Sequence, residues 1–274
     1  MHSKIASALN LQHNPVAIIW ADEKPGSALQ FKEKKWGCVM FMFASAAKGK
    51  TTVFDRGTYG CWGGGVGLGF GNQYLNFPGS MDCFYHFLSI GNEHWEQGKK
   101  VGDAVGKAGV TEFSDDFLHG ERYIKNPELV KKFVELLPMV DIPAQYVIFK
   151  PLEDVDLRKE KPVVIVFLAN PDQLSALVIL ANYGREGNEN VIIPYAAGCQ
   201  TIGIYPYQEA KSEKPRAVVG LTDISARKNV EKQLGKDLLS FAVPFPMFQE
   251  MEANVEGSFL QRQTWKALME QGNK

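Results

Sequence analysis

"PVVIVFLANPDQLSALVILANYG", Pro162 to Gly184, is the stretch from which the fold is read. The seven apolar residues from Val163 to Ala169 run without polar alternation, the pattern of a strand buried on both faces. Asn170 then supplies a helix cap and Pro171 occupies the first helical position, where its missing N–H costs nothing. Gly184 closes that helix, and "NVIIP" from Asn190 to Pro194 reads as another strand. Val163 to Ile193 is therefore expected to form a βαβ crossover.

Working outward, "AQYVIFKP" (Ala144 to Pro151), "PVAIIW" (Pro15 to Trp20) and Arg216 to Leu221 also read as buried strands, with a short β-prone "TTVF" at Thr51 to Phe54. Helices are expected at Cys38 to Lys48, at "SMDCFYHFLSIG" with Ser80 as its cap, and at "NPELVKKFVELLP", where Asn126 caps and Pro138 ends the run. Further helices are placed around Val230 to Ser240, Pro246 to Asn254 and Ser258 to Glu270. The expected class is α/β or α+β, a central mixed sheet flanked by helices. Residues 1–274 are read as one integrated domain, any subdivision falling at the polar stretch Glu153 to Lys161, a linker or a surface hairpin.

Thirty basic and thirty-one acidic residues leave a net charge of -1, so nothing global favours nucleic acid or an anionic membrane. The cluster Lys32, Lys34, Lys35 is broken by Glu33 and reads as a solvated face. No apolar run reaches the roughly 18 residues of a membrane span, and "MHSKIASALNLQHNP" lacks the continuous apolar segment of a signal peptide. A soluble cytoplasmic protein is expected, whose four cysteines are reduced thiols, metal ligands or catalysts rather than disulfides. Aromatic clusters such as "CFYHF" and "FAVPFPMF" suit a small-molecule pocket, a homo-oligomer interface or plain core packing.

"GTYGCWGGGVGLGFG", Gly57 to Gly71, carries eight glycines in fifteen residues and is read as a loop at a functional site, since bare backbone is accepted where something approaches closely. No register supplies the Gly-x-Gly-x-x-Gly of a dinucleotide site, so no NAD motif is present. "AAKGKTT" copies the end of a phosphate-binding loop at Gly49 to Thr51, but Ala44 stands where the pattern requires glycine, and no ATP motif is present either. If extended, the stretch offers a smooth glycine face; if helical, its glycines let another helix pack closely.

Glycine precedes three of the cysteines: Gly37-Cys38, Gly60-Cys61 and Gly198-Cys199. Main-chain N–H groups stabilise the charge on the sulfurs of an iron–sulfur cluster, and glycine lets that main chain come near. The cysteines are far apart in sequence, with no Cys-x-x-Cys pair, so any shared site must be assembled by the fold. Cys83, in an apolar helix beside Phe84, reads first as a core residue. A nucleophilic Cys61 or Cys199 is the competing chemistry, needing a base such as His86 or His94.

"GCWGGGVGLGFG", "GERYIKNPELV", "NPDQLSALVILANY", "AAGCQTIGIYP" and "GLTDISARKNVEKQL" together resemble the family known as domain of unknown function 169, over approximately Ala17 to Phe259. The resemblance implies that Cys61, Cys199, the "DISAR" segment and Cys38 belong to the family pattern, whereas Cys83 is not assigned to it. Cys38, Cys61 and Cys199, with Cys83 as the fourth candidate, are taken as ligands of a metal centre, a [4Fe–4S] cluster foremost. Gly60, Gly63, Gly64, Gly65, Gly198, Gln200, Asp223 and Arg227 are taken as its surroundings. Asp223 and Arg227, four apart, either pair on a helix face or orient a bound carboxylate or phosphate. Gln173, at the end of the strand that opens this section, is another polar candidate. The expected function is redox or small-molecule chemistry at the cluster; the alternatives are a cofactor-free small-molecule binding protein and a thiol enzyme.

Overall fold

The computed structural model describes residues 1–33, 35–107 and 111–271; Lys34 of the lysine cluster lies outside the described residues. In chain order the elements are α1 (Lys4–Ala8), β1 (Val16–Ala21), α2 (Val39–Ala47), β2 (Thr52–Phe54), α3 (Trp62–Leu68), α4 (Met81–Phe87), α5 (Glu96–Lys107), α6 (Thr111–His119), α7 (Pro127–Leu136), β3 (Tyr146–Pro151), β4 (Pro162–Ala169), α8 (Pro171–Tyr183), β5 (Val191–Ile192), α9 (Gly198–Ile202), α10 (Ile204–Glu209), β6 (Ala217–Gly220), α11 (Ile224–Leu234), β7 (Leu239–Pro244), α12 (Phe245–Ala253) and α13 (Gln263–Gln271). They form two compact units, residues 1–71 with 140–274, and residues 72–139.

The first unit is built on a seven-stranded mixed sheet in the order β2-β3-β1-β4-β7-β6-β5. All pairings are antiparallel except β5 with β6. Strand side chains alternate between faces. Ala17, Ile19, Ile165, Phe167, Phe241 and Val243 share one face with the buried residues of α8 and α12. The opposite set, including Ile18, Val166, Phe149 and Ala242, is equally buried, and α2, α9 and α10 pack on that side. Covering both faces explains why β4 reads as an unbroken apolar run. Each fully buried large side chain contributes about 1.5–3 kcal/mol relative to exposure.

The mixed sheet with flanking helices is the expected class, with differences in connection. α8 leaves β4, whose neighbours β1 and β7 are both antiparallel to it, and the chain re-enters the sheet at β5, beyond β7 and β6. The parallel neighbours are instead β5 and β6, joined through α9 and α10. Residues 152–161 return the chain across β1, since β3 and β4 both pair with that strand, and they belong to the first unit. Helix α11 ends at Leu234, and Leu239–Pro244, partly assigned above to a helix around Val230 to Ser240, is strand β7, lying between β4 and β6 in the sheet. Gln173 is structural: its Oε1 accepts from Asn170 N at 3.0 Å while Asn170 Oδ1 accepts from Gln173 N at 2.9 Å, and its Nε2 donates to Leu9 O.

In the second unit α4 packs on α6 and α7, around Tyr74 stacked on Phe84 at 4.0 Å and Phe77 stacked on Phe117 at 5.9 Å. Buried Asn92 donates to Cys83 O and Phe117 O, tying the first turn of α4 to α6. No helix among the described residues is long and apolar enough to cross a membrane.

Replacing Gln173 by alanine removes half of a capping box and leaves the Leu9 carbonyl short of a donor. A loss of about 2 kcal/mol in urea unfolding is expected, against less than about 0.5 kcal/mol for the exposed neighbour Asp172→Ala.

Candidate functional site

The glycine stretch is not a loop. Trp62–Leu68 is helical, with Cys61 as its N-cap and Gly69 in the left-handed conformation at its end. Glycine disfavours a helix interior by about 1 kcal/mol per residue relative to alanine, so packing must supply the compensation. It comes from α9. A Cβ at Gly67 would lie 2.7 Å from the Cys199 carbonyl carbon, and one at Gly203 would lie within 2.9 Å of the Gly67 carbonyl carbon. The two helices meet backbone to backbone, as the helical alternative for this stretch requires.

That contact brings two cysteines to one peptide group. Cys61 Sγ accepts from Gly64 N at 3.2 Å, and the Cys199 thiol donates to Gly63 O at 3.2 Å. Gly63 O and Gly64 N belong to the same planar unit, so the two sulfurs stand no more than about 9 Å apart. Cys199 is 7% exposed, whereas Cys61 and Cys38 keep more of their surface in solvent.

Cys38 arrives through a second close approach. Gly60 takes φ +79, and a Cβ there would fall 2.3 Å from Gly37 O, so the Gly37-Cys38 and Gly60-Cys61 pairs lie against each other. A Cβ on Gly64 would stand 2.7 Å from Val39 Cγ2, which seats the start of α3 on the start of α2. Cys38 is the N-cap of α2. Gly65 N completes the first turn of α3 by donating to Cys61 O at 2.9 Å. Gly198 packs against Met40 and Ala226, tying α9 to α2 and α11.

Asp223 caps α11, its carboxylate accepting from Ser225 N at 3.0 Å and from Gly198 N at 3.3 Å. It does not pair with Arg227, whose guanidinium donates to the carbonyls of Leu221, Leu238 and Lys236. Leu221 sits at φ +59, a conformation costing a non-glycine residue roughly 1–2 kcal/mol, and Arg227 holds the carbonyl of that residue. Gln200 is buried and its Oε1 accepts from Ala197 N at 3.0 Å, closing the first turn of α9. An open cleft of about 270 Å3 beside α11 is lined by Leu221, Ile224, Arg227, Lys228 and Lys236 among others.

Cys61 and Cys199 are shifted by neighbouring thiols. Burial, and then the neighbouring Cys38, push the Cys61 thiol up to about 12. Cys199 is raised well above its ordinary value by burial first, then by Cys61, Cys38 and Asp223. Cys38 is raised by burial, eased by the amides of Met40 and Phe41 and by Asn229. Asp223 is raised by burial despite the N–H groups facing it. Cys83 belongs to the second unit, where Ser80 and Val101 surround it. Among the described residues no three His, Cys, Asp or Glu are arranged to hold a single metal ion.

Fold and site together define a mixed α/β protein in which three thiols from separate segments meet at the starts of three helices. The chain belongs to the family described as uncharacterised ArCR, domain of unknown function 169, whose model matches residues 4–254. No curated protein and no solved structure matches it.

A thiol whose pKa is near 12 is protonated throughout the physiological range and gains about tenfold in thiolate per pH unit up to that value. Iodoacetamide should therefore label Cys61 of the metal-free folded protein at pH 8 on the order of a thousandfold more slowly than a free cysteine. The rate should climb with pH well past 9, as peptide mapping after timed quenching would show.

Proposed function

We propose that Cys38, Cys61 and Cys199 hold an iron–sulfur cluster by three thiolates, leaving one iron open, and that the protein acts in redox or small-molecule metabolism. The observation that carries this reading is the convergence of the three sulfurs from sequence positions 38, 61 and 199, with Cys38 raising the Cys61 thiol and both raising that of Cys199. Thiols buried together ionise only if a cation shares the site, because each thiolate makes the next costlier. A cluster supplies that charge, and an open iron adds Lewis-acid or one-electron chemistry.

The donor set fits such a group better than a lone ion. Thiolates on one zinc lie about 2.3 Å from the metal and hence within about 4 Å of one another, and the described residues offer no such ready-made set. A cluster takes each thiolate on a different iron, which suits sulfurs spaced around a larger volume. The chain's own part is to place main-chain N–H groups near sulfur: Gly64 N already donates to Cys61, and the first turn of α2 faces Cys38. Raised pKa values weigh against the nucleophile alternative, which requires a thiolate near neutral pH.

Anaerobic purification and reconstitution should yield a brown protein with about four irons and four sulfides per chain. Cys38→Ser, Cys61→Ser and Cys199→Ser should each lower the iron content several-fold, and Cys83→Ser should leave it unchanged. A folded protein that stays colourless and iron-free under those conditions would refute the reading.

A further inference from the structure

Three thiolates leave one iron of a four-iron cluster without a sulfur from the chain, and Cys83 is buried within the second unit, against Gly79. Helix α11 brings a carboxylate to the thiols instead. Asp223, Ala226 and Asn229 recur at three-residue spacing along one side of that helix. A Cβ on Gly198 would lie 3.1 Å from Ala226 Cβ and 3.0 Å from Met40 Cγ, so this side of α11 rests on the residue before Cys199 and on the first turn of α2, whose cap is Cys38. Asn229 hydrogen-bonds Cys38 itself, and Asp223 accepts from Gly198 N at 3.3 Å. After burial, which dominates, the Asp223 charge raises all three thiols, Cys38, Cys61 and Cys199. Among the described residues no lysine or arginine pairs with Asp223, and Arg227 is turned to main-chain carbonyls. The adjoining Thr222 hydroxyl is buried without a hydrogen-bond partner.

We propose that the Asp223 carboxylate is the fourth, exchangeable ligand of the cluster, held on the iron that no thiolate reaches until a small carboxylate molecule displaces it. The inference rests on the cluster reading. A carboxylate has about four lone-pair sites, and the amides of Ser225 and Gly198 take two, so an iron can be bound without giving up the cap of α11. Four anionic donors brought together without a cation are relieved by a cationic centre between them. Oxygen is a harder ligand than thiolate and holds iron in a sulfur-rich cluster more loosely, which makes this position the one that exchanges. In the exchange the Asp223 oxygen leaves iron with its electron pair as the incoming oxygen brings its own. One carboxylate replaces another, so charge is conserved, no electron is transferred and no proton moves. The displaced side chain stays on Gly198 N and Ser225 N, in place to return.

The test reconstitutes the full chain and its Asp223→Asn, Asp223→Ser and Asp223→Cys variants with iron and sulfide in the absence of oxygen. Iron is counted, and each cluster is followed by Mössbauer spectroscopy during exposure to ferricyanide and EDTA. Asn and Ser both keep a cap for α11, so thermal unfolding of the metal-free chains should stay as in the parent. In the parent, one iron of about four should give a signal distinct from the rest, and excess acetate should alter that signal alone. The Asn and Ser variants should lose that iron at least about tenfold faster, stopping at about three irons per chain. The Asp223→Cys variant should hold it at least about tenfold longer, with the distinct signal gone and no response to acetate. Four equivalent irons in the parent, a distinct iron indifferent to acetate, or equal rates of loss in the parent and the Asn and Ser variants would overturn Asp223 as ligand and leave the three-thiolate cluster standing. Loss of all the irons together from those variants would do the same, marking Asp223 as a cap only. A parent chain that takes up no iron would overturn the cluster and this inference with it.

Discussion

Two missing side chains, at Gly67 and Gly203, let α3 and α9 touch through their backbones, and the remainder of the site hangs on that contact. A methyl group at either position would have to displace main chain rather than the far end of a side chain, and a packed interior yields little to such a demand. The contact fixes Cys199 against the first turn of α3, where Gly63 O accepts its thiol hydrogen bond and Gly64 N donates to Cys61. The same logic recurs at Gly37 and Gly60, where a bare main chain seats Cys38 beside Cys61. The glycines before the cysteines thus act chiefly by permitting approach between segments; the amide that donates to Cys61 comes from Gly64, three residues after it.

Burial of these thiols has a cost that depends on what else occupies the site. Neutral, they are small apolar groups and sit in the interior without penalty. Ionised, each meets a desolvated neighbour of the same sign and the Asp223 carboxylate beyond it. A catalytic thiol would be surrounded in the opposite way, by a helix start or a cation that holds it as thiolate. Three helix starts do face this site, yet desolvation outweighs them for every one of the thiols. Under the cluster reading proposed above, these thiols would ionise only together, with protons leaving as the metal entered.

Caps and buried runs were the legible part of the sequence. Asn170-Pro171 opens α8, Asn126-Pro127 opens α7 and Ser80 opens α4, because these side chains satisfy amides within their own turn and need no distant partner. The glycine stretch misleads for the complementary reason: local propensity argues against a helix, and the partner that pays for it, α9, lies more than a hundred residues away. β7 is hidden because "LSFAVP" is a short apolar segment between a helix and a proline, a pattern that does not separate strand from helix. The second unit is equally hard to see, since Gly71 and Val140, where it departs and returns, bond directly to each other and no linker composition marks the junction. The cysteine set is legible only in part, as a recurrence of glycine before sulfur without the spacing that would make it a motif.

Asp223 and Arg227 show how charge that looks functional is absorbed by architecture near such a site. The turn from β6 into α11 passes through Leu221 in a left-handed conformation that its side chain resists. Arg227 reaches back to the Leu221 carbonyl and onward to those of Leu238 and Lys236, so a single guanidinium ties the start of the turn to the loop that leads into β7. With the turn held, Asp223 is delivered to Gly198 N, and α9 is thereby oriented from its first residue. The strain at Leu221 is consequently spent on aligning α9 with α11, and through α9 on the angle at which Cys199 meets α3. A charged pair at helical spacing therefore serves the thiols at one remove, by setting the geometry of the backbone that carries them.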